Sequence, residues 1–175
     1  RALALFTSHG ALRASASALR GLLAPAGIEV LAQGLDGSRE ALLERLKPRP
    51  RTLLLGTSSF WEGVDVPGDA LSLLIIAKLP FAVFTDPLIQ GRCELLEAQG
   101  KDPFLHFSVP QAIIRLRQGF GRLIRSKRDR GVVVLCDRRV LTKRYGAAFL
   151  RALPCQPEEA GDPEGLAARV RGFLE

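Results

Sequence analysis

The chain has 175 residues, 47% of them apolar and 25% charged, with a formal net charge of +7. That length and balance fit one globular domain with a proper core, and they exclude a disordered or membrane-embedded chain. The charge excess favours an acidic partner, nucleic acid first, although a solvated basic surface gives the same number.

The longest apolar stretch, residues 70–84, is broken by Lys78 and Pro80 and is too short to span a bilayer. No charged-then-apolar leader opens the chain, so we expect no membrane association and a cytoplasmic location. The first residue is Arg1 and methionine is absent, which leads us to expect a fragment whose function depends on further sequence. Cys93, Cys136 and Cys155 lie far apart without CxxC spacing, and His9 and His106 are isolated. Neither a metal site, a disulfide framework nor a histidine-based triad is indicated, and the cysteines are expected to be reduced and structural.

Short β-type runs alternate with helical patterns, which predicts an α/β fold with a mainly parallel sheet flanked by helices. Residues 2–6 read as the first strand. After Gly10, the spacing of Leu12, Leu19, Leu22 and Leu23 is helical until Pro25-Ala26-Gly27 breaks it, and residues 28–31 form the next strand. Ser38 caps a helix through Leu42, Leu43 and Leu46 to Lys47, which Pro48 and Pro50 stop. Residues 52–55 and the wholly apolar run 71–77 read as strands buried on both faces. Asp86 followed by Pro87 gives a cap with proline at the first helical position, opening a helix to about Gly100. Residues 111–125 are helical in pattern, 132–136 form the last strand, and 140–153 return to helical spacing. Residues 154–161 read as a linker, and Asp162-Pro163 starts a terminal helix ending near Leu174.

The most informative stretch is Gln118-Gly119-Phe120-Gly121-Arg122-Leu123-Ile124-Arg125. At ~100° per residue, Arg115, Gln118, Arg122 and Arg125 share one helix face, while Ile113, Leu116, Phe120, Leu123 and Ile124 gather on the other. Two glycines inside such a helix cost about 1 kcal/mol each relative to alanine. A close approach by another domain or by a phosphate supplies a reason for the bare backbone. An ordinary amphipathic helix with a solvated arginine face is the alternative.

This stretch resembles motif VI, Q-x-x-G-R-x-x-R, of superfamily 2 helicases. The resemblance implies the second of two RecA-like motor domains, whose arginines project onto a triphosphate held by the first. Arg125 is then the arginine finger, Arg122 a second phosphate contact, and Gln118 a neighbour of the γ-phosphate and its water. A planar, permanently charged fork suits the charge that phosphoryl transfer spreads over equatorial oxygens, and such a finger is worth about 10³–10⁵ in rate.

Gly56-Thr57-Ser58-Ser59-Phe60-Trp61-Glu62-Gly63-Val64-Asp65 follows a predicted strand, where open α/β sheets place ligands. Hydroxyl groups beside glycine offer donors to phosphate oxygens, although a Gly/Ser/Thr loop is also simply a turn. The run resembles motif V of the DinG/XPD group, in which small polar residues precede F-x-E-G-x-D. That likeness implies contacts of Thr57, Ser58 and Ser59 with the DNA backbone, Gly63 beside the nucleotide, and Asp65 near the ribose or a motif VI arginine. Glu62 is either part of the nucleotide side or an acceptor for backbone donors.

Thr7 and Ser8, at the end of the first strand, look like motif IV of the same group and would reach a phosphate, unless they cap the next helix. Lys78-Leu79-Pro80-Phe81 followed by Asp86-Pro87, and Asp137-Arg138-Arg139, also fit DinG-like proteins. Phe81 either stacks on a base or belongs to the core. Between Phe81 and Asp86 the chain reads Ala-Val-Phe-Thr, more apolar than the proline-rich family pattern.

No G-x-x-x-x-G-K-[ST] loop and no D-E-x-H-type acidic box is present. The resemblance therefore implies that ATP and Mg²⁺ are held mainly by a first motor domain outside this sequence. It also implies that any four-cysteine iron–sulfur cluster belongs there. The expected organisation is a RecA-like helicase domain over residues 1–153, a linker over 154–161 and a terminal helix over 162–175. The expected role is the arginine-finger half of a 5′-to-3′ DNA helicase, with single-stranded DNA and the N-terminal motor domain as partners. The alternatives are a DinG-like protein fused to a nuclease, or a nucleic-acid-binding RecA-like module without hydrolysis.

Overall fold

The computed structural model describes residues 1–61, 71–82, 86–124 and 129–175. Five parallel strands, β1 Ala2–Leu5, β2 Glu29–Ala32, β3 Thr52–Gly56, β4 Leu73–Ile76 and β5 Val132–Leu135, form a sheet in the order β2-β3-β1-β4-β5. All five were legible as apolar runs, each to within two residues.

The two-residue period of a strand divides the apolar side chains between two layers. Leu3 and Leu5 face one side with Leu31, Leu54, Leu74 and Ile76. That layer is covered by α2 Arg39–Leu46, α5 Val109–Leu123 and α7 Gly146–Arg151, through Leu42, Leu46, Leu116, Phe120, Leu123 and Phe149. Ala4 and Phe6 face the other side with Val30, Ala32, Leu53 and Leu55, against Leu12 and Ala16 of α1 His9–Leu23. Each fully buried leucine contributes roughly 1.5–3 kcal/mol, so these layers supply the main driving force for folding.

Local signals set the helix starts. Ser8, Ser38, Asp86 and Asp162 accept from main-chain N–H groups in the first turns of α1, α2, α4 Pro87–Ala98 and α8 Pro163–Leu174. Gly27, with φ 65°, ends the turn after α1 in the left-handed region. Among the described residues no helix is long and apolar enough to cross a membrane.

Several expectations need correction. Leu22, one of the four leucines whose spacing predicted α1, is 72% exposed and takes no part in the core. The 111–125 helix begins earlier, at Val109, and is preceded by a π turn over Phe104–Ser108. Pro110 lacks an N–H and crowds the carbonyl four residues back, and the wide turn relieves that crowding. At the other end α5 closes at Leu123. Ile124 is extended (φ −113°, ψ 111°) and 38% exposed, so it does not join the core face.

Residues 140–153 are not one helix. The chain turns at Lys143 between α6 Arg139–Thr142 and α7, and Gly146 lies directly on the Val140 carbonyl. The four-residue helix α3 Ser58–Trp61 was not expected. The three cysteines are free, but Cys136 and Cys155 are exposed and Cys93 partly so, which removes them from the core.

Candidate functional site

Because every strand runs the same way, the segments after β1, β3, β4 and β5 emerge along one edge of the sheet. β1 lies between β3 and β4, where the connectivity reverses, and such a switch point is where open α/β sheets bind ligands. A cleft of about 370 Å³ opens there, lined by Phe6, Thr7, Ser8 and His9 after β1, Thr57 and Trp61 after β3, and Pro80, Phe81 and Ala82 after β4. Asp86, Ile89 and Arg115 complete its wall.

Thr7 and Ser8 are exposed at this mouth. The Ser8 hydroxyl accepts from Ala11 N at 3.2 Å, so it caps α1 and presents the positive end of the helix to the cleft. Thr57, by contrast, is only 4% exposed. Its main-chain N–H and its hydroxyl both donate to Gln33 Oε1, at 2.8 and 3.0 Å, and its oxygen lies 3.4 Å from His9 Nε2. The Thr57 hydroxyl, expected to contact DNA, is thus used inside the protein. Gln33 Nε2 donates in turn to Ser59 Oγ at 2.8 Å. Gln33 escaped the sequence reading because it acts across 24 residues, from the end of the neighbouring strand.

On α5, Gln118 is exposed and Arg122 half-buried. Arg122 Nε donates to the Trp61 carbonyl at 3.3 Å, which ties the arginine helix to the turn after β3. The two glycines have different reasons. A Cβ on Gly119 would stand 2.9 Å from Trp61 Cζ3, whereas one on Gly121 would meet no atom of the described residues within 4 Å. Approach from outside the chain therefore explains at most Gly121, and Gly119 is required by internal packing.

Phe81 stacks on Phe104 at 5.5 Å and meets Tyr145 and Phe149 edge-on at 5.6 and 5.7 Å. Packing accounts for most of this ring, and its remaining surface lines the cleft. Arg139 caps the cluster, with Cζ 5.4 Å from the Phe81 centroid. The Asp137 carboxylate, 8% exposed, accepts from Leu79 N at 2.9 Å and from the Arg139 guanidinium at 2.6 Å, joining the ends of β4 and β5. Burial by itself would raise its pKa. The Arg139 side chain and the main-chain N–H groups of Leu79 and Arg139 outweigh that and lower it to about 2.

Glu62, Gly63, Asp65 and Arg125 lie outside the described residues, as does the side chain of Ser58. Among the described residues no three His, Cys, Asp or Glu side chains gather to hold a metal ion.

The model of a family described as the helicase C-terminal domain matches residues 1–156, stopping short of α8. The chain is 42% identical to the 3'-5' exonuclease DinG of Bacillus subtilis, over 99% of its own length and 19% of that protein. It is 47% identical to the ATP-dependent DNA helicase YoaA of Escherichia coli, over 90% of its own length and 24% of that protein. The chain thus spans between about a fifth and a quarter of these relatives. Of solved structures, an XPD helicase superposes with a TM-score of 0.58 at 18% identity, covering 91% of this chain and 28% of that one. Xpd4 of S. tokodaii gives 0.53 at 24% identity, covering 81% and 27%. At these identities the likeness is one of fold, a RecA-like α/β domain.

Proposed function

This chain belongs to the helicase C-terminal domain family, and on that premise we propose that it is the second motor domain of an ATP-dependent, DinG-type helicase that moves 5′ to 3′ on single-stranded DNA. One observation carries the reading: Arg122 Nε meets the Trp61 carbonyl at 3.3 Å, so the arginine helix and the hydroxyl loop after β3 form one unit at the ligand-binding edge.

Within that unit Gln118, Arg122 and Arg125 serve the nucleotide. Gly121, with no atom of the described residues within 4 Å of an added Cβ, leaves room for the phosphates or for the first motor domain. Gly63, Asp65 and Glu62 are assigned to the nucleotide side by motif alone. ATP and Mg²⁺ are held mainly by the first domain, which supplies the phosphate loop this sequence lacks. ATP provides the phosphoryl group whose transfer drives the motor. The arginines of this chain stabilise the charge that develops on that group, and Gln118 orients the attacking water. Any iron–sulfur cluster belongs to the first domain as well, because the three cysteines here cannot supply four thiolates.

The cleft between β3, β1 and β4 takes the DNA. Thr7, Ser8 and the N-terminus of α1 meet one phosphate there and the open part of Phe81 a base, and Ser58 and Ser59 are assigned a second phosphate by motif alone. A second reading keeps the motor but couples it to DNA degradation. It is favoured by the name of one relative, a 3'-5' exonuclease that matches this chain over 99% of its length.

The test is ATP hydrolysis by the full-length protein with and without single-stranded DNA. Stimulation by DNA together with unwinding of a tailed duplex supports the helicase reading. Shortening of the strand from its 3′ end supports the second, and no stimulation contradicts both.

A further inference from the structure

We propose that Gln33 is a positioning residue for nucleic-acid binding, setting the Ser59 hydroxyl so that its proton is offered to a backbone phosphate. This rests on the reading of the cleft as a DNA track.

The backbone of Gln33 is fixed before its side chain acts. Its N–H donates to Leu55 O at 3.0 Å, and the turn that follows is held by Asp36, whose carboxylate accepts from Ala32 N at 2.7 Å and whose own N–H donates to Ala32 O at 3.0 Å. The side-chain amide then has one workable orientation. The Thr57 main-chain N–H, 2.8 Å away, can only donate, so the amide oxygen must face it and the NH₂ group must face Ser59.

The two hydroxyls consequently do different things. Thr57 spends its proton on Gln33 Oε1 at 3.0 Å and is buried. Ser59 receives a proton from Gln33 Nε2 at 2.8 Å, so its oxygen is occupied as an acceptor and its own hydrogen is left to donate. Ser59 is partly exposed, and among the described residues its hydroxyl hydrogen has no acceptor. A phosphate oxygen is the acceptor that suits a hydroxyl held in this way. A carboxylate at position 33 would still accept from Thr57, but it would draw the Ser59 proton onto itself.

The experiment uses the full-length enzyme and a single-stranded thymidine homopolymer. It measures the DNA concentration for half-maximal ATPase, kcat at saturating DNA, and the melting temperature. Gln33→Glu should raise the half-saturating concentration about tenfold, the scale of one hydrogen bond to a charged group. It should leave kcat and the melting temperature unchanged, because the Thr57 N–H keeps its acceptor. Ser59→Ala should give a similar rise, and the double variant should be hardly worse than either single one. Normal DNA affinity in Gln33→Glu overturns the proposal. So does a loss that is just as large in the Ser59→Ala background, since a general charge effect would then explain it. If the wild-type enzyme itself is not stimulated by DNA, the DNA-track reading falls and this inference with it; a stimulated wild type with an indifferent Gln33→Glu sinks the inference alone.

Discussion

Gly119 on α5 lies against the benzene ring of the Trp61 indole, so closely that an added methyl would stand 2.9 Å from Cζ3 and 3.1 Å from Cε3. Trp61 closes the turn after β3 and is 3% exposed, so the ring cannot swing away. The same residue takes the Arg122 Nε–H on its carbonyl. One tryptophan therefore fixes both the separation of the hydroxyl loop from the arginine helix and the root of the Arg122 guanidinium.

Alanine at the two motif glycines should accordingly act with opposite signs. Gly119→Ala gains about 1 kcal/mol of helix propensity but overpacks the indole by roughly 1–3 kcal/mol, so the domain should melt lower. Gly121→Ala meets no atom of the described residues and should melt slightly higher, by up to about 1 kcal/mol of stability. In the full-length enzyme Gly121→Ala should still lower ATPase activity if phosphates or the first domain approach there. Thermal melts of both variants check the first pair of signs.

Asp137 makes stability depend on pH in a defined window. Its folded pKa is depressed from 3.8 to about 2, so it contributes stability above its unfolded value that is lost as pH falls through the folded one. The contribution near neutrality is about 2 kcal/mol. Asp137→Asn should lose most of it at pH 7 and should lack that part of the acid slope between pH 3.8 and about 2. Urea unfolding at a series of pH values measures both, and identical slopes would remove Asp137 from this role.

The isolated domain should bind single-stranded DNA weakly, with affinity that falls steeply as salt rises and with little sequence preference. On the proposed reading this chain carries half of the track, with contacts mainly to phosphate. Fluorescence anisotropy at several salt concentrations tests this. Salt-independent binding, or strong preference for one sequence, would point to base readout instead.

Much of the sheet was legible because its strands carry their own apolar runs and its helices their own caps, as at Ser38 and Asp86–Pro87. What stayed hidden was set by contacts distant in sequence. The break between α6 and α7 depends on Gly146 fitting where a Cβ would stand 2.0 Å from the Val140 carbonyl. The short helix α3 reads as a loop because three hydroxyl residues open it, and its order comes from Phe60 and Trp61 in the core and from Gln33. In the site, the place of Gln118 and Arg122 along one helix was legible from their spacing. The inward use of Thr57 was not, since nothing local distinguishes it from Ser59.

A domain that supplies the arginine side of an ATP site should lose hydrolysis when Arg125 is removed. In the full-length enzyme, Arg125→Ala should lower the kcat of DNA-stimulated ATP hydrolysis by about 10³ or more, while the melting temperature stays within roughly 0.5 kcal/mol of the wild type in equivalent stability. Arg125→Lys should recover little, because a compact ammonium cannot reproduce the planar fork. An alanine variant that hydrolyses ATP normally but melts several degrees lower would contradict the account, making Arg125 a structural residue and leaving the arginine-finger assignment without its chief support.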